Sequence, residues 1–232
     1  MERPYIICHM VTSIDGKVTG DFLYQPECEP GTEDYYQINR DFCADAFACG
    51  RITMEGSFTG GWQPDLTPFA GQTLPREDYI ADADARFFAV AFDRRGRLGW
   101  QTARIVDEDP GYGDAHIVEV LCEDVSDAYL AYLRSVGVSY LFAGETELDL
   151  PLALQKLKRL FGIEKLLLEG GSVINGAFHR AGVIDELSLV MAPLTAGAED
   201  KPLFDGGGLD KYCLKNVSRT ECGSVWLQYE RA

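Results

Sequence analysis

Residues 165–177 read KLLLEGGSVINGA. Three leucines, Leu166 to Leu168, end on a single carboxylate, Glu169, and Gly170 and Gly171 follow at once. Ser172 then opens a stretch whose spacing predicts a helix to Ala181, closed by Gly182. A short unbroken apolar run that feeds a helix is how a strand buried on both faces of a parallel sheet reads. Glycines at its end remove the side chains that would hold a ligand away from the backbone. A helix starting there turns its unbonded N–H groups toward an anion such as a pyrophosphate. Taken bare, the same glycines could also be a plain tight strand–helix connection.

The pattern repeats outward from this stretch. Strand-type runs fall at 4–11, 46–49, 86–92, 103–107, 115–122, 139–143, 164–169, 184–193, 212–220 and 224–230. Helical spacing covers 34–46 through Tyr35, Ile38 and Phe42. A second helix runs from a Ser126 cap to about Arg134, and a third over 149–161 starts on Asp149. The runs 212–220 and 224–230 flank a tight Glu221-Cys222-Gly223 connection, a β-hairpin signal. These elements predict a single α/β domain over residues 1–232, with a mainly parallel sheet closed by an antiparallel C-terminal hairpin. Residues 56–85, rich in Gly, Pro, Asp and Thr, show no clear element and read as a lid or a disordered excursion.

Composition narrows the function. The 232 residues are 46% hydrophobic and 25% charged, enough for a sizeable core. A net charge of −16 argues against nucleic acid, because phosphate backbones demand a basic face. No apolar stretch approaches the roughly 20 residues of a membrane span, and MERPYIICHM lacks the plan of a signal peptide. A cytoplasmic location and no membrane partner are expected. The seven cysteines are odd in number and scattered without a CxxC pair, so they read as reduced structural thiols. The three histidines are too dispersed for a metal site, and none is expected; structural or surface roles are expected for His9 and His179.

Two further stretches sit near strand ends, where α/β sheets hold ligands. They are SIDGK, Ser13 to Lys17, and CGRITME, Cys49 to Glu55. Each has a bland alternative: Asp15-Gly16 is a common turn, and Thr53 could simply cap a helix. GxGxxG, GxxxxGK[ST], GxSxG and HExxH are all absent, which removes the fingerprints of Rossmann enzymes, P-loop nucleotidases, serine hydrolases and zinc proteases.

The combination of SIDGK, CGRITME and LLLEGGSVINGAFHRAGVIDELSLVMAPLTAG resembles the RibD C-terminal reductase family, relatives of dihydrofolate reductase. The resemblance implies a dihydrofolate reductase-like three-layer fold. It also implies an NADPH-dependent reduction of a phosphoribosylamino-pyrimidine in riboflavin synthesis, with a small-molecule substrate. By the same resemblance Gly170, Gly171, Ser172, Val173, Ile174 and Asn175 would hold the cofactor pyrophosphate. Val11 would line the nicotinamide, and Arg51 and Thr53 would face cofactor. AFDRRGRL resembles the family's strand-D-S-x-x-R stretch, which places Arg94 near the 2′-phosphate; the alternative is a solvated arginine turn. Asp15 and Glu169 match active-site acids and are the candidate catalytic residues. Lys17 and Arg40, with Glu169, are candidate substrate contacts, although Arg40 could equally be a surface helix arginine. The family's D-D-P-x-L-x-x-R stretch after the threonine is missing, which leaves the substrate open. A non-catalytic nucleotide-binding protein on this fold and a true dihydrofolate reductase are the alternatives. The resemblance also implies a homodimer, to which 187–193, LSLVMAP, could contribute.

Overall fold

The computed structural model describes residues 2–220 and 223–232. In sequence order its strands are β1 (Tyr5–Thr12), β2 (Ala46–Gly50), β3 (Phe88–Phe92), β4 (His116–Leu121), β5 (Ser139–Phe142), β6 (Lys165–Leu168), β7 (Glu186–Met191), β8 (Tyr212–Arg219) and β9 (Val225–Arg231). The helices are α1 (Glu29–Phe42), α2 (Arg51–Met54), α3 (Asp127–Val136), α4 (Leu150–Phe161) and α5 (Ser172–Arg180). The protein forms two compact units: Asp45–Glu164 makes up most of the first, and Tyr5–Ala44 with Lys165–Ala232 the second.

In the first unit the strands run in the order β5-β4-β3-β2, all parallel. Every residue of β3, β4 and β5 is buried, as expected of strands covered on both faces, and β4 buries the polar His116 and Glu119 among its apolar residues. The helices start and stop where their caps dictate. Ser126 Oγ accepts from Tyr129 N at 3.2 Å and Asp149 Oδ1 accepts from Leu152 N at 3.0 Å. Gly137 and Gly162 end the two helices at φ +84° and +69°, a left-handed geometry that costs glycine little. Leu130, Leu133, Leu154 and Leu157 supply the buried stripe of α3 and α4. Burial of each such side chain stabilises the fold by about 1.5–3 kcal/mol.

Two expectations change in this unit. Residues 103–107 are not a strand: Arg104 makes one isolated antiparallel bridge with His116, and the backbone turns away through 107–114. Residues 56–85 are not a featureless excursion. A π-helical turn covers Glu55–Thr59 and a short 3-10 turn Thr67–Phe69, and Tyr79 then bridges Tyr140. Arg76 holds the carbonyls of Glu123 and Val125 and pairs with Asp127, while Asp78 pairs with Lys156 at 2.9 Å. Polar side chains, invisible to periodicity, fasten this long loop along β5.

The first unit also buries a carboxyl cluster. Glu119 is fully buried on β4, where its Oε1 accepts from Trp100 Nε1 and from Tyr129 Oη, the latter at 2.8 Å. Burial, reinforced by the charge of Asp93, pushes Glu119 well above the usual carboxylate range.

In the second unit the order is β6-β1-β7-β9-β8. β1 pairs in parallel with β6 and β7, and β9 runs antiparallel to β7 and β8. The expected hairpin is therefore present; Glu221 and Cys222 of its connection lie outside the described residues. Helix α1 begins at Glu29, five residues before the expected start, with Pro30 in its first turn. It ends at Phe42 because Cys43 turns left-handed at φ +45°.

His9, fully buried on β1, ties three elements together. Its Nε2 lies 3.0 Å from the Tyr35 carbonyl on α1, and its ring stacks on Tyr35 at 4.2 Å. Its Nδ1 lies 3.0 Å from Ser188 Oγ on β7, which accepts from Trp226 Nε1 on β9 at 2.9 Å. Nδ1 also lies 3.3 Å from the Ser188 carbonyl, but the closer carbonyl is that of Tyr35, and with the proton on Nε2 both the Tyr35 carbonyl and the Ser188 hydroxyl are served, Nδ1 accepting from Ser188 Oγ. Desolvation holds His9 neutral, with its pKa lowered to about 4.

Candidate functional site

At the end of β6 the backbone enters Gly170 at φ +98°, a conformation that disfavours any side chain, and the Gly170–Gly171 peptide is cis. A Cβ on Gly170 would also press on Met10 Cε at 3.1 Å. Gly171 is the N-cap of α5, and that helix has no side-chain cap. Its first N–H groups are thus left to face a ligand. One turn in, Asn175 is fully buried, and neither Nδ2 nor Oδ1 of its amide has a hydrogen-bond partner among the described residues. An unpaired buried amide costs about 1–3 kcal/mol unless a ligand or water completes it. Val173 is exposed at 67%, Ile174 is buried, and Ser172 Oγ donates to the Pro202 carbonyl. Glycine-lined backbone, uncapped helix start and orphaned amide fit the pyrophosphate and polar groups of a dinucleotide.

Glu169 sits immediately before this turn, only 7% exposed. Asn39 on α1 donates its Nδ2 to Glu169 Oε1 at 2.6 Å. Val11 on β1 is buried with Phe22, Cys28 and Ala192. The turn after β1 is more tightly used than its sequence suggests. The exposed Asp15 carboxylate accepts from Ala196 N at 2.9 Å and Ser13 Oγ at 2.7 Å. These donors, led by the Ala196 amide, hold its pKa below the usual range. Lys17 Nζ donates to the carbonyls of Asp200 at 2.7 Å and Ala198 at 3.4 Å. Arg40 on α1 is partly buried, donates to Gln37 Oε1 at 2.9 Å and lies 3.7 Å from Glu33 Oε1.

The remaining candidates belong to the first unit. Helix α2 starts at Arg51 with Gly50 as its N-cap, so Thr53 is its third residue and not a cap. Arg51 pairs with Glu55 at 2.6 Å, one turn along. Arg94, after β3, pairs with Glu147 and donates to the Thr146 carbonyl at 3.2 Å. Asp93 beside it accepts from the backbone N–H groups of Arg97 and Leu98 and closes the arginine turn.

Within the second unit the fold brings together Val11, Asp15, Lys17, Glu169 and the start of α5, each at or just past the end of β1 or β6. Asn39 escapes the sequence reading because its partner lies 130 residues away and one asparagine on a helix carries no pattern. Among the described residues no group of three His, Cys, Asp or Glu side chains could hold a metal, and no helix is long and apolar enough to cross a membrane.

A parallel strand that ends in a glycine turn and feeds an uncapped helix is the arrangement with which α/β proteins can take anionic ligands at the carboxyl ends of their strands. The chain belongs to the RibD C-terminal domain family, whose model matches residues 4–227. Over 211 residues it is 28% identical to the 2,5-diamino-6-ribosylamino-4(3H)-pyrimidinone 5′-phosphate reductase of Methanothermobacter thermautotrophicus, covering 90% of this chain and 87% of that one. It is 23% identical over 222 residues to the protein of the same name from Archaeoglobus fulgidus, covering 94% of each. A crystal structure of a pyrimidine reductase-like protein from Corynebacterium diphtheriae superposes with a TM-score of 0.70 at 19% identity, covering 99% of this chain and 92% of that one. At that identity the likeness speaks for the fold alone.

Proposed function

We propose that this protein is an NADPH-dependent reductase of a pyrimidine ribosylamine phosphate, of the diaminopyrimidinone type for which its relatives are named. A nicotinamide cofactor follows from that reductase class, and NADPH is the form proposed. The observation that carries the reading is the start of α5, where an uncapped helix and the unpartnered Asn175 amide lie directly behind Glu169.

The N–H groups of Ser172 and Val173 hold the pyrophosphate, and the glycine turn lets it approach the backbone. Asn175 satisfies its amide on the cofactor, and Val11 supplies apolar wall to the nicotinamide. When bound, the nicotinamide would supply a hydride to the carbon of the C=N bond that forms as the ribosyl ring C–O bond opens, with water supplying the proton that its nitrogen takes. Glu169, steadied by Asn39, accepts from the ring N–H and amino groups of the pyrimidine and fixes that carbon in place. Arg51, Thr53 and Arg94 are retained as proposed cofactor contacts, with Lys17 and Arg40 as proposed substrate contacts. A cytoplasmic homodimer completes the reading, and light scattering of the purified protein tests the dimer.

The test is cofactor binding followed by turnover. Titration with NADPH, followed by fluorescence, is expected to saturate below millimolar concentration, and Gly171→Leu is expected to abolish it. Wild-type protein that binds no NADPH, or Gly171→Leu protein that binds it normally, would overturn the assignment. NADPH oxidation with the diaminopyrimidinone ribosylamine phosphate and its deaminated uracil counterpart then tells the two substrates apart. Binding without oxidation of either points to the non-catalytic alternative.

A further inference from the structure

The polar groups of the turn after β1 are engaged by neighbouring backbone. They are spent on one segment, 194–206, and the opposite side of that segment is fastened to α5. On the first side, Ile14 N donates to Leu194 O at 2.8 Å, and the Asp15 carboxylate takes Ala196 N at 2.9 Å. The Lys17 ammonium holds the carbonyls of Asp200 and Ala198. Val18 N donates to Lys201 O at 2.9 Å, and Leu203 N donates to Gly16 O at 3.1 Å. Lys17 forms an isolated antiparallel bridge with Pro202.

On the second side, the same Pro202 carbonyl accepts from Ser172 Oγ, at the first residue of α5. Asp205 N donates to Ser172 O at 3.1 Å. Gly176 lacks a Cβ where the Asp205 carbonyl oxygen lies, so the segment rests on the helix backbone itself. Phe204 stacks on His179 at 4.5 Å, and Arg180 holds the carbonyls of Asp205 and Gly206, each at 2.9 Å.

The geometry points to Asp15 and Lys17 as positioning residues: they clasp the 194–206 strap, and through Pro202 and Asp205 the strap sets the first turn of α5 where the cofactor binds. The inference rests on the functional reading above and assigns the turn a task beyond substrate contact. Asp15 is also poorly suited to donate a proton, since two hydrogen bonds favour its ionised form. Cofactor and substrate sides are thereby linked: ordering either end of the strap lowers the cost of ordering the other.

The experiment measures NADPH affinity without substrate in wild type, Asp15→Asn, Lys17→Met, Lys17→Arg and Ser172→Ala, with thermal melts to confirm folding. Asp15→Asn and Lys17→Met are expected to weaken NADPH binding roughly fivefold or more, the size of a typical coupling between sites. Lys17→Arg, which can still serve both carbonyls, is expected to restore most of the affinity. The double variant Asp15→Asn/Ser172→Ala is expected to lose less than the sum of the two single losses. At saturating NADPH, kcat of Asp15→Asn is expected to keep the wild-type pH profile while KM for NADPH rises. Folded variants that bind NADPH like wild type overturn the inference alone, as does an Asp15→Asn profile that loses its acid-dependent limb. Wild-type protein that binds no NADPH overturns the functional reading, and this inference with it.

Discussion

Lowering the pH should loosen the molecule through His9, by an amount the structure sets. Folded His9 has a pKa of about 4, against 6.5 for an unperturbed histidine, because burial disfavours its charged form. Protonation would also put a donor on Nδ1, where Ser188 now donates, and break the relay from Trp226 to Tyr35. Between these two pKa values the unfolded protein binds a proton that the folded protein does not. Stability therefore rises with pH across that window and falls on acidification. Above pH 6.5 the contribution is fully present. By pH 4 it has fallen by about 3 kcal/mol, with a steepest slope of about 1.4 kcal/mol per pH unit. For a protein of this length that corresponds to a melting temperature lower by about 6–12 °C. Other groups titrate in the same range, so the informative quantity is a difference. Urea unfolding of wild type and His9→Gln, measured at intervals from pH 7.5 to 4, isolates it. Glutamine can still donate to the Tyr35 carbonyl but does not titrate, so His9→Gln should begin less stable and converge on wild type as pH falls. Parallel curves over the whole range would refute the reasoning.

Glu119 should act with the opposite sign. Its folded pKa lies well above 4.5, so the proton kept in the fold costs stability as pH rises past the unfolded value. Glu119→Gln, which mimics the protonated acid, should melt higher than wild type at pH 8 and lose that advantage near pH 4. Asn39→Leu should cost about 2 kcal/mol in urea unfolding by removing the hydrogen bond to Glu169. Asn39→Asp should also destabilise the fold, because it sets a second carboxylate against Glu169. Gly176→Ala drives a methyl into the Asp205 carbonyl; calorimetry should show a loss of about 1–3 kcal/mol together with weaker NADPH binding. Leu154→Ala, in the buried stripe of α4, should cost about 2–5 kcal/mol and leave NADPH affinity unchanged.

Local chemistry was legible in the sequence because it acts over a few residues. Ser126 and Asp149 announced the starts of their helices. The leucines before Glu169 announced a buried strand, and Gly170-Gly171 marked the turn into α5. Element order and the resemblance of residues 166–197 sufficed for the fold class and the family. The errors fell where the deciding partner was remote. Residues 103–107 look like a strand, but only one bridge to His116 is available to them. Arg76 and Asp78 turn an apparent lid into a fastened loop. The site divides along the same line. Sequence alone placed a carboxylate, two glycines and a helix start together, because they are consecutive. That Glu169 is steadied by Asn39, that Asp15 and Lys17 spend their charges on the 194–206 strap, and that the buried Asn175 amide finds no partner among the described residues were decided only by tertiary structure. Hydrogen bonds between residues more than a hundred positions apart leave no periodicity for a sequence to display, since they exist only once the sheet has set which distant segments meet.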